Sequence, residues 1–121
     1  MLENNFYSTI HFATENNGAK AKVKLNRKHP IFSGHFPTVP VVPGVCSVQM
    51  IQELAQKAVS SKLILCEGEN IKFLGIINPD ENPELDLEFT YKTNSEGDLL
   101  ASASISGNGI VFLKFKGRFK C

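Results

Sequence analysis

Residues 34–44 read Gly-His-Phe-Pro-Thr-Val-Pro-Val-Val-Pro-Gly, and His35 is the only titratable side chain among them. Pro37, Pro40 and Pro43 each fix φ near about −65° and disfavour helix in the residue before, so the segment reads as a stiff, extended loop. It ends in Pro43-Gly44, directly before a run with helical composition. A rigid loop that carries one imidazole towards a helix N-terminus has the parts for proton transfer beside a carbonyl-polarising dipole. A purely structural His-Pro loop has the same composition, and spacing alone leaves both readings open.

The elements that must position this loop follow from periodicity. Residues 6–13 are apolar enough for a strand. Ala19, Ala21, Val23 and Leu25 alternate with Lys20, Lys22 and Lys24, the period of two of a strand with one buried and one solvated face. The lysine row reads as that solvated face rather than a nucleic-acid patch. Residues 45–60 contain neither Pro nor Gly and are rich in Leu, Ala, Gln, Met and Lys, predicting a helix of roughly four turns. Its apolar positions (Val45, Val48, Ile51, Leu54, Ala55, Ala58, Val59) cover more than half its circumference, so other structure should wrap it on several sides.

The second half is β. Residues 63–77 form an apolar run interrupted at Glu67-Gly68-Glu69, and residues 78–83 (Asn-Pro-Asp-Glu-Asn-Pro) form a turn cluster. Leu85, Leu87, Phe89 and Tyr91 alternate with polar residues, as do Ala101, Ala103 and Ile105. Gly107-Asn108-Gly109 then supplies a tight hairpin into a final strand over 110–119. One long apolar helix and five or six antiparallel strands predict an α+β fold in which a curved sheet wraps the helix, a hotdog arrangement.

Composition narrows the classes. A chain of 121 residues with 42% hydrophobic and 21% charged residues reads as a single globular domain over residues 1–121. Thirteen basic against twelve acidic side chains leave +1, too little field to attract nucleic acid or an anionic membrane. No apolar run approaches a membrane span, and residues 1–5 lack the features of a signal peptide. Cys46, Cys66 and Cys121 are an odd number without metal-ligand spacing, which suits reduced thiols in the cytoplasm and implies no metal. Cys46 falls in the first helical turn, where a thiol pKa can drop, but reads as core filler. His11, in a strand, and His29, before Pro30, read as structural or surface groups; Asp80 and Glu81 read as solvated turn residues.

Gly34-His35-Phe36-Pro37, then Pro40, then Pro43-Gly44-Val45 running into a helix, closely resembles the signature of the β-hydroxyacyl-acyl-carrier-protein dehydratases of the FabZ and FabA type. The order of elements is similar too, and Lys72-Phe73 followed by Asn78-Pro79-Asp80 resembles that family's Lys-Phe-Arg strand and Pro-Gly-Asp turn. The resemblance implies a lyase without cofactor that removes water from a (3R)-3-hydroxyacyl thioester to give a trans-2-enoyl thioester, in fatty-acid or polyketide-like synthesis. Its partner would be an acyl carrier protein bearing the acyl group on phosphopantetheine. The assembly would be a homodimer or a trimer of dimers, with sites between subunits. His35 would be the base at C2, the Gly44 N–H would stabilise the developing enolate oxygen, and Phe36, Pro43, Gly44 and Val45 would bind substrate.

The sequence departs from the pattern on the helix. The family's catalytic Glu falls on Gln49, which can hold a hydroxyl or a water but cannot exchange a proton near neutral pH. Where the family commonly has Gln four residues on, this chain has Glu53, so the pair looks interchanged on one helical face. Either Glu53 supplies the carboxylate from one turn deeper, roughly 6 Å along the axis, or it is a polar helix residue paired with Lys57 and the chemistry has changed. Two further classes stay open: a hotdog acyl thioesterase, and a non-catalytic acyl-thioester-binding partner subunit of a dehydratase.

Overall fold

The computed structural model describes residues 1–34 and 39–120. Six strands form one antiparallel sheet: β1 (Tyr7–Glu15), β2 (Gly18–Leu25), β3 (Ile64–Phe73), β4 (Glu84–Thr93), β5 (Leu99–Gly107) and β6 (Ile110–Lys120). Their order across the sheet is β1-β2-β4-β5-β6-β3. Two helices precede β3, the short α1 (Pro30–Gly34) and the long α2 (Gly44–Val59), and α2 lies against β2, β4 and β5. This is the α+β arrangement of one long helix against an antiparallel sheet expected from the periodicities.

The buried side of the sheet is the alternation read from sequence. Ala21, Val23 and Leu25 on β2, Leu85, Leu87 and Phe89 on β4, and Ala101 and Ile105 on β5 are all buried. Met50, Ile51 and Ala55 of α2 are fully covered against them. The β5–β6 hairpin closes through Asn108 at φ 52° and Gly109 at φ 79°. Two successive positive φ values are what a two-residue type I′ turn needs, and Asn-Gly supplies them at least cost.

Three local features differ from expectation. First, α1 was not anticipated. Pro30 sits at its first position, where a missing N–H costs nothing, and His29 Nδ1 accepts the Ile31 N–H at 3.2 Å. Second, β3 runs straight through Glu67-Gly68-Glu69 by shifting register against β6 there. Gly117 of β6 makes this possible: a side chain at that position would meet the Glu67 carbonyl at 2.7 Å. Third, α2 is not covered all round. Val45 is 76% exposed, whereas the polar Ser47 and Glu53 are buried.

β3 is the other anomaly of coverage. Among the described residues it pairs only with β6, and most of its residues are exposed on both faces. Ile64, Phe73, Leu74 and Ile76 add large exposed apolar side chains along and just beyond it.

Candidate active site at the start of the long helix

The segment entering α2 is anchored before the helix begins. Val42 N–H donates to the Ile77 carbonyl at 2.9 Å, and Val42 and Pro40 are buried. Pro43 is the N-cap in extended conformation, and its carbonyl accepts the N–H groups of Cys46 and Ser47. Among the described residues no side chain caps the helix. The first-turn N–H groups of Gly44 and Val45 have no carbonyl within the helix to bond, and they sit at the positive end of its dipole. An apolar cleft of about 220 Å³ opens there, between Gly44 and Ser47 on one side and Phe73, Ile76, Ile77 and Phe112 on the other. Gly44 lets the helix start lie close to this wall: a Cβ there would stand 3.0 Å from the Phe73 ring, which would have to shift.

His35 and Phe36 lie outside the described residues. Of the remaining expected site residues, Gly44 lines this cleft, while Pro43, Val45 and Gln49 do not. At about 100° per residue, Gln49 stands about 140° round the helix from Gly44, on the side of exposed Val45.

Glu53 is the most heavily used polar group of the helix. It is 3% exposed and accepts four hydrogen bonds. Oε2 takes the Leu2 N–H at 2.8 Å and Gln49 Nε2 at 2.9 Å. Oε1 takes the Glu3 N–H and the Tyr7 hydroxyl, both at 2.9 Å. The carboxylate is therefore satisfied without a cation, as burial demands. Its expected pairing with Lys57 is not present; Lys57 Nζ instead meets Glu3 Oε2 at 2.8 Å. That bond, together with one from Thr9, holds the Glu3 carboxyl below its ordinary pKa. Burial, and then the Glu53 charge, push the Tyr7 phenol well above its own.

The contact between Gln49 and Glu53 fixes the amide. A carboxylate can only accept, so the NH₂ end of Gln49 must face it and the carbonyl end, Oε1, must face away. Gln49 thus presents an acceptor to whatever lies beyond its helix face. Tyr7 and the backbone of Leu2 and Glu3 are the residues that sequence reasoning missed. They lie 46 to 51 positions from Glu53, so no local pattern marks them.

The other candidates have structural surroundings. Cys46 is buried and burial raises its thiol pKa, so it is core filler rather than an activated thiol. His29 caps α1 and stacks edge-on against Phe6, and His11 is exposed on edge strand β1. Asp80 is an exposed partner of Arg27 at 2.7 Å. No group of three or more His, Cys, Asp or Glu able to hold a metal ion occurs among the described residues. No helix there is long and apolar enough to cross a membrane.

Comparison with known proteins agrees with this architecture. The chain is 33% identical over 85 residues to a 3-hydroxyacyl-[acyl-carrier-protein] dehydratase FabZ from Erythrobacter litoralis, a match covering 63% of this chain and 56% of that protein. The matched stretch thus spans little more than half of that relative. Among solved structures, the dehydratase heterocomplex ApeI:P from Xenorhabdus doucetiae superposes with a TM-score of 0.73 at 19% identity, covering 93% of this chain and 96% of that one. A hypothetical thioesterase with coenzyme A from Streptococcus pneumoniae superposes at 0.67 with 12% identity, covering 93% and 83%, so the hotdog fold is common to all three. The ApeI-like family model, described as ApeI dehydratase, matches residues 11–106, and the chain therefore belongs to the ApeI-like family of hotdog dehydratases.

Proposed function

We propose that this chain is a single hotdog domain that dehydrates a (3R)-3-hydroxyacyl thioester carried on the phosphopantetheine arm of an acyl carrier protein. The observation that carries the reading is the apolar cleft against the uncapped start of α2, where Gly44 can offer its N–H to a thioester oxygen. His35 removes the C2 proton, and the helix N-terminus stabilises the enolate oxygen that forms. The C3 hydroxyl is held by Gln49 Oε1, which is an acceptor because Glu53 occupies the NH₂ end. Since Gln49 has no proton to give, the imidazolium returns the proton it took from C2 to the departing hydroxyl, and water leaves. One group thus acts first as base and then as acid, with Glu53 as a positioning residue.

The site is completed by a second copy. Gln49 and the cleft lie on different sides of α2, so one protomer cannot bring them to one substrate. Exposed Val45 on the Gln49 side and the uncovered strand β3 are the surfaces such a copy would bury. A homodimer is the smallest assembly that satisfies this, and a trimer of dimers is compatible with it.

A second reading draws on the same acceptor. An amide oxygen aimed away from Glu53 can also hold a water for attack on a thioester, which would make the protein a thioesterase. Purified protein given crotonyl and 3-hydroxybutyryl thioesters separates the outcomes. Interconversion of the two supports the dehydratase, release of free thiol supports the thioesterase, and neither would mark a non-catalytic acyl-thioester-binding subunit. Light scattering that returns the mass of one chain at micromolar concentration would count against the two-copy site.

A further inference from the structure

The outer face of the sheet carries two kinds of charge arrangement. On one half, Lys20, Lys22 and Lys24 of β2 stand directly opposite Glu88, Asp86 and Glu84 of β4. Lys20 and Lys22 form ion pairs there, at 3.8 Å to Glu88 and 3.4 Å to Asp86. On the other half, Lys114 and Lys116 of β6 face Ser104 and Ser102 of β5 on one side. On the other side they face Lys72 and Asn70 of β3. Lys72 and Lys114 are thus direct cross-strand neighbours of like charge, an arrangement that destabilises a sheet unless something neutralises it. None of the three lysines has an ion-pair partner among the described residues. The β4 carboxylate row is two strands from β6, about 10 Å and about one Debye length away, and the nearer Glu67 and Asp98 are taken up by Arg118.

The serines also shape the surface. Ser102 and Ser104 are shorter than the side chains on either side, leaving a groove of about 490 Å³ with Glu88 and Thr90 on one bank and the lysines on the other. We propose that this groove is a docking surface for an extended, acidic segment of a partner protein. Lys114 and Lys116 project from alternate positions of one strand, about 7 Å apart. Alternate carboxylates of an extended chain repeat at that same distance, and the serine hydroxyls can bond such a chain along the floor. A compact phosphate fits less well: the backbone N–H groups of β5 are consumed by β4 and β6, and one small anion cannot span lysines spaced along the strand. The β4 carboxylates would repel a nucleic-acid backbone crossing the sheet. A second copy would have to break the β2–β4 ion pairs to supply its own acidic row.

The test uses the full chain and a fluorescein-labelled peptide of alternating glutamate and serine, read by anisotropy across a salt series. The expected result is saturable, salt-sensitive binding. A Lys72→Gln, Lys114→Gln, Lys116→Gln triple variant should weaken it about tenfold, the sum of three exposed pairs. A Lys20→Gln, Lys22→Gln, Lys24→Gln variant should bind like the unaltered chain. Equal weakening in both variants, or no saturable binding, overturns the proposal. Displacement of the peptide by an equal concentration of inorganic phosphate would mean a simple anion site and overturns it. Equal affinity for duplex DNA does the same, as does self-association that the β6–β3 triple variant abolishes without peptide.

Discussion

Gln49 Nε2 donates to Glu53 Oε2 at 2.9 Å, one helical turn away, and this single contact decides which end of the amide is available for chemistry. The same two positions looked interchanged in sequence relative to the dehydratases, with Glu53 a candidate for the missing acid. In the structure all four of its hydrogen bonds lead to the N-terminal segment, Tyr7 and Gln49. The carboxylate holds the amide and the chain start together.

The proposed one-group mechanism has a kinetic signature. With His35 as base and returning acid, kcat/KM for dehydration should rise through the ionisation of a single group and then level off. A separate carboxylic acid would produce a bell instead. His35→Ala should lower turnover by about 10²–10⁴ without unfolding the chain. Retention of full turnover would remove His35 from the mechanism.

Gln49→Glu should raise dehydratase activity, and only on the acid side. The new carboxyl would lie against the buried Glu53 carboxylate, so one of the two must hold a proton, which supplies a donor at that position. As pH rises and both ionise, activity and melting temperature should fall together. A pH series of turnover and thermal melts checks this; a variant no more active than the parent at any pH would defeat it.

Glu53→Gln separates positioning from chemistry. The substitution turns an acceptor-only group into one whose NH₂ end faces donors, and should cost about 2–3 kcal/mol, on the order of 10 °C in Tm. Turnover measured well below that Tm should fall mainly through kcat, because Gln49 can then flip. A Glu53→Gln protein with unchanged Tm and a loss of turnover equal to that of His35→Ala would instead make Glu53 the acid.

Tyr7 should give the fold an alkaline limb. Its folded pKa is raised above the ordinary 10.0, so above about pH 10 the unfolded chain loses a phenolic proton that the folded chain keeps. The unfolded state then binds fewer protons, and stability falls as pH rises. Tyr7→Phe should lose about 1.5–3 kcal/mol at neutral pH, where a hydrogen bond to a carboxylate is removed. Because the variant lacks the alkaline slope, the gap between the two proteins should narrow above pH 10. Denaturant titrations at pH 7 and pH 11 measure both effects.

What the sequence made legible was whatever depends on neighbours along the chain. The alternation of Leu85, Leu87 and Phe89, the uninterrupted helix formers after Gly44 and the Asn108-Gly109 turn each act within a few residues. What it hid depends on distant partners. Glu67-Gly68-Glu69 reads as a break because nothing local shows that Gly117 on another strand leaves room for the Glu67 carbonyl. Val45 reads as part of an apolar stripe, yet its exposure depends on what seats on that side of α2. Glu53 could be placed on the face of Gln49 by counting residues, but its partners Leu2, Glu3 and Tyr7 could not.

The tie between Glu53 and the first residues also bears on how the molecule assembles. Leu2, Glu3 and Tyr7 leave the ribosome long before the carboxylate they bind, and closing that loop of 46 to 51 residues is entropically slow compared with forming α2. The Gln49–Glu53 contact lies within α2 and can form with the helix, but the Glu53 carboxylate stays short of its other three donors until Leu2, Glu3 and Tyr7 dock. Refolding followed by a helix signal and by enzyme activity should show the second lagging the first. A Tyr7→Phe variant, which weakens that docking and leaves the Gln49–Glu53 contact in place, should lengthen the delay.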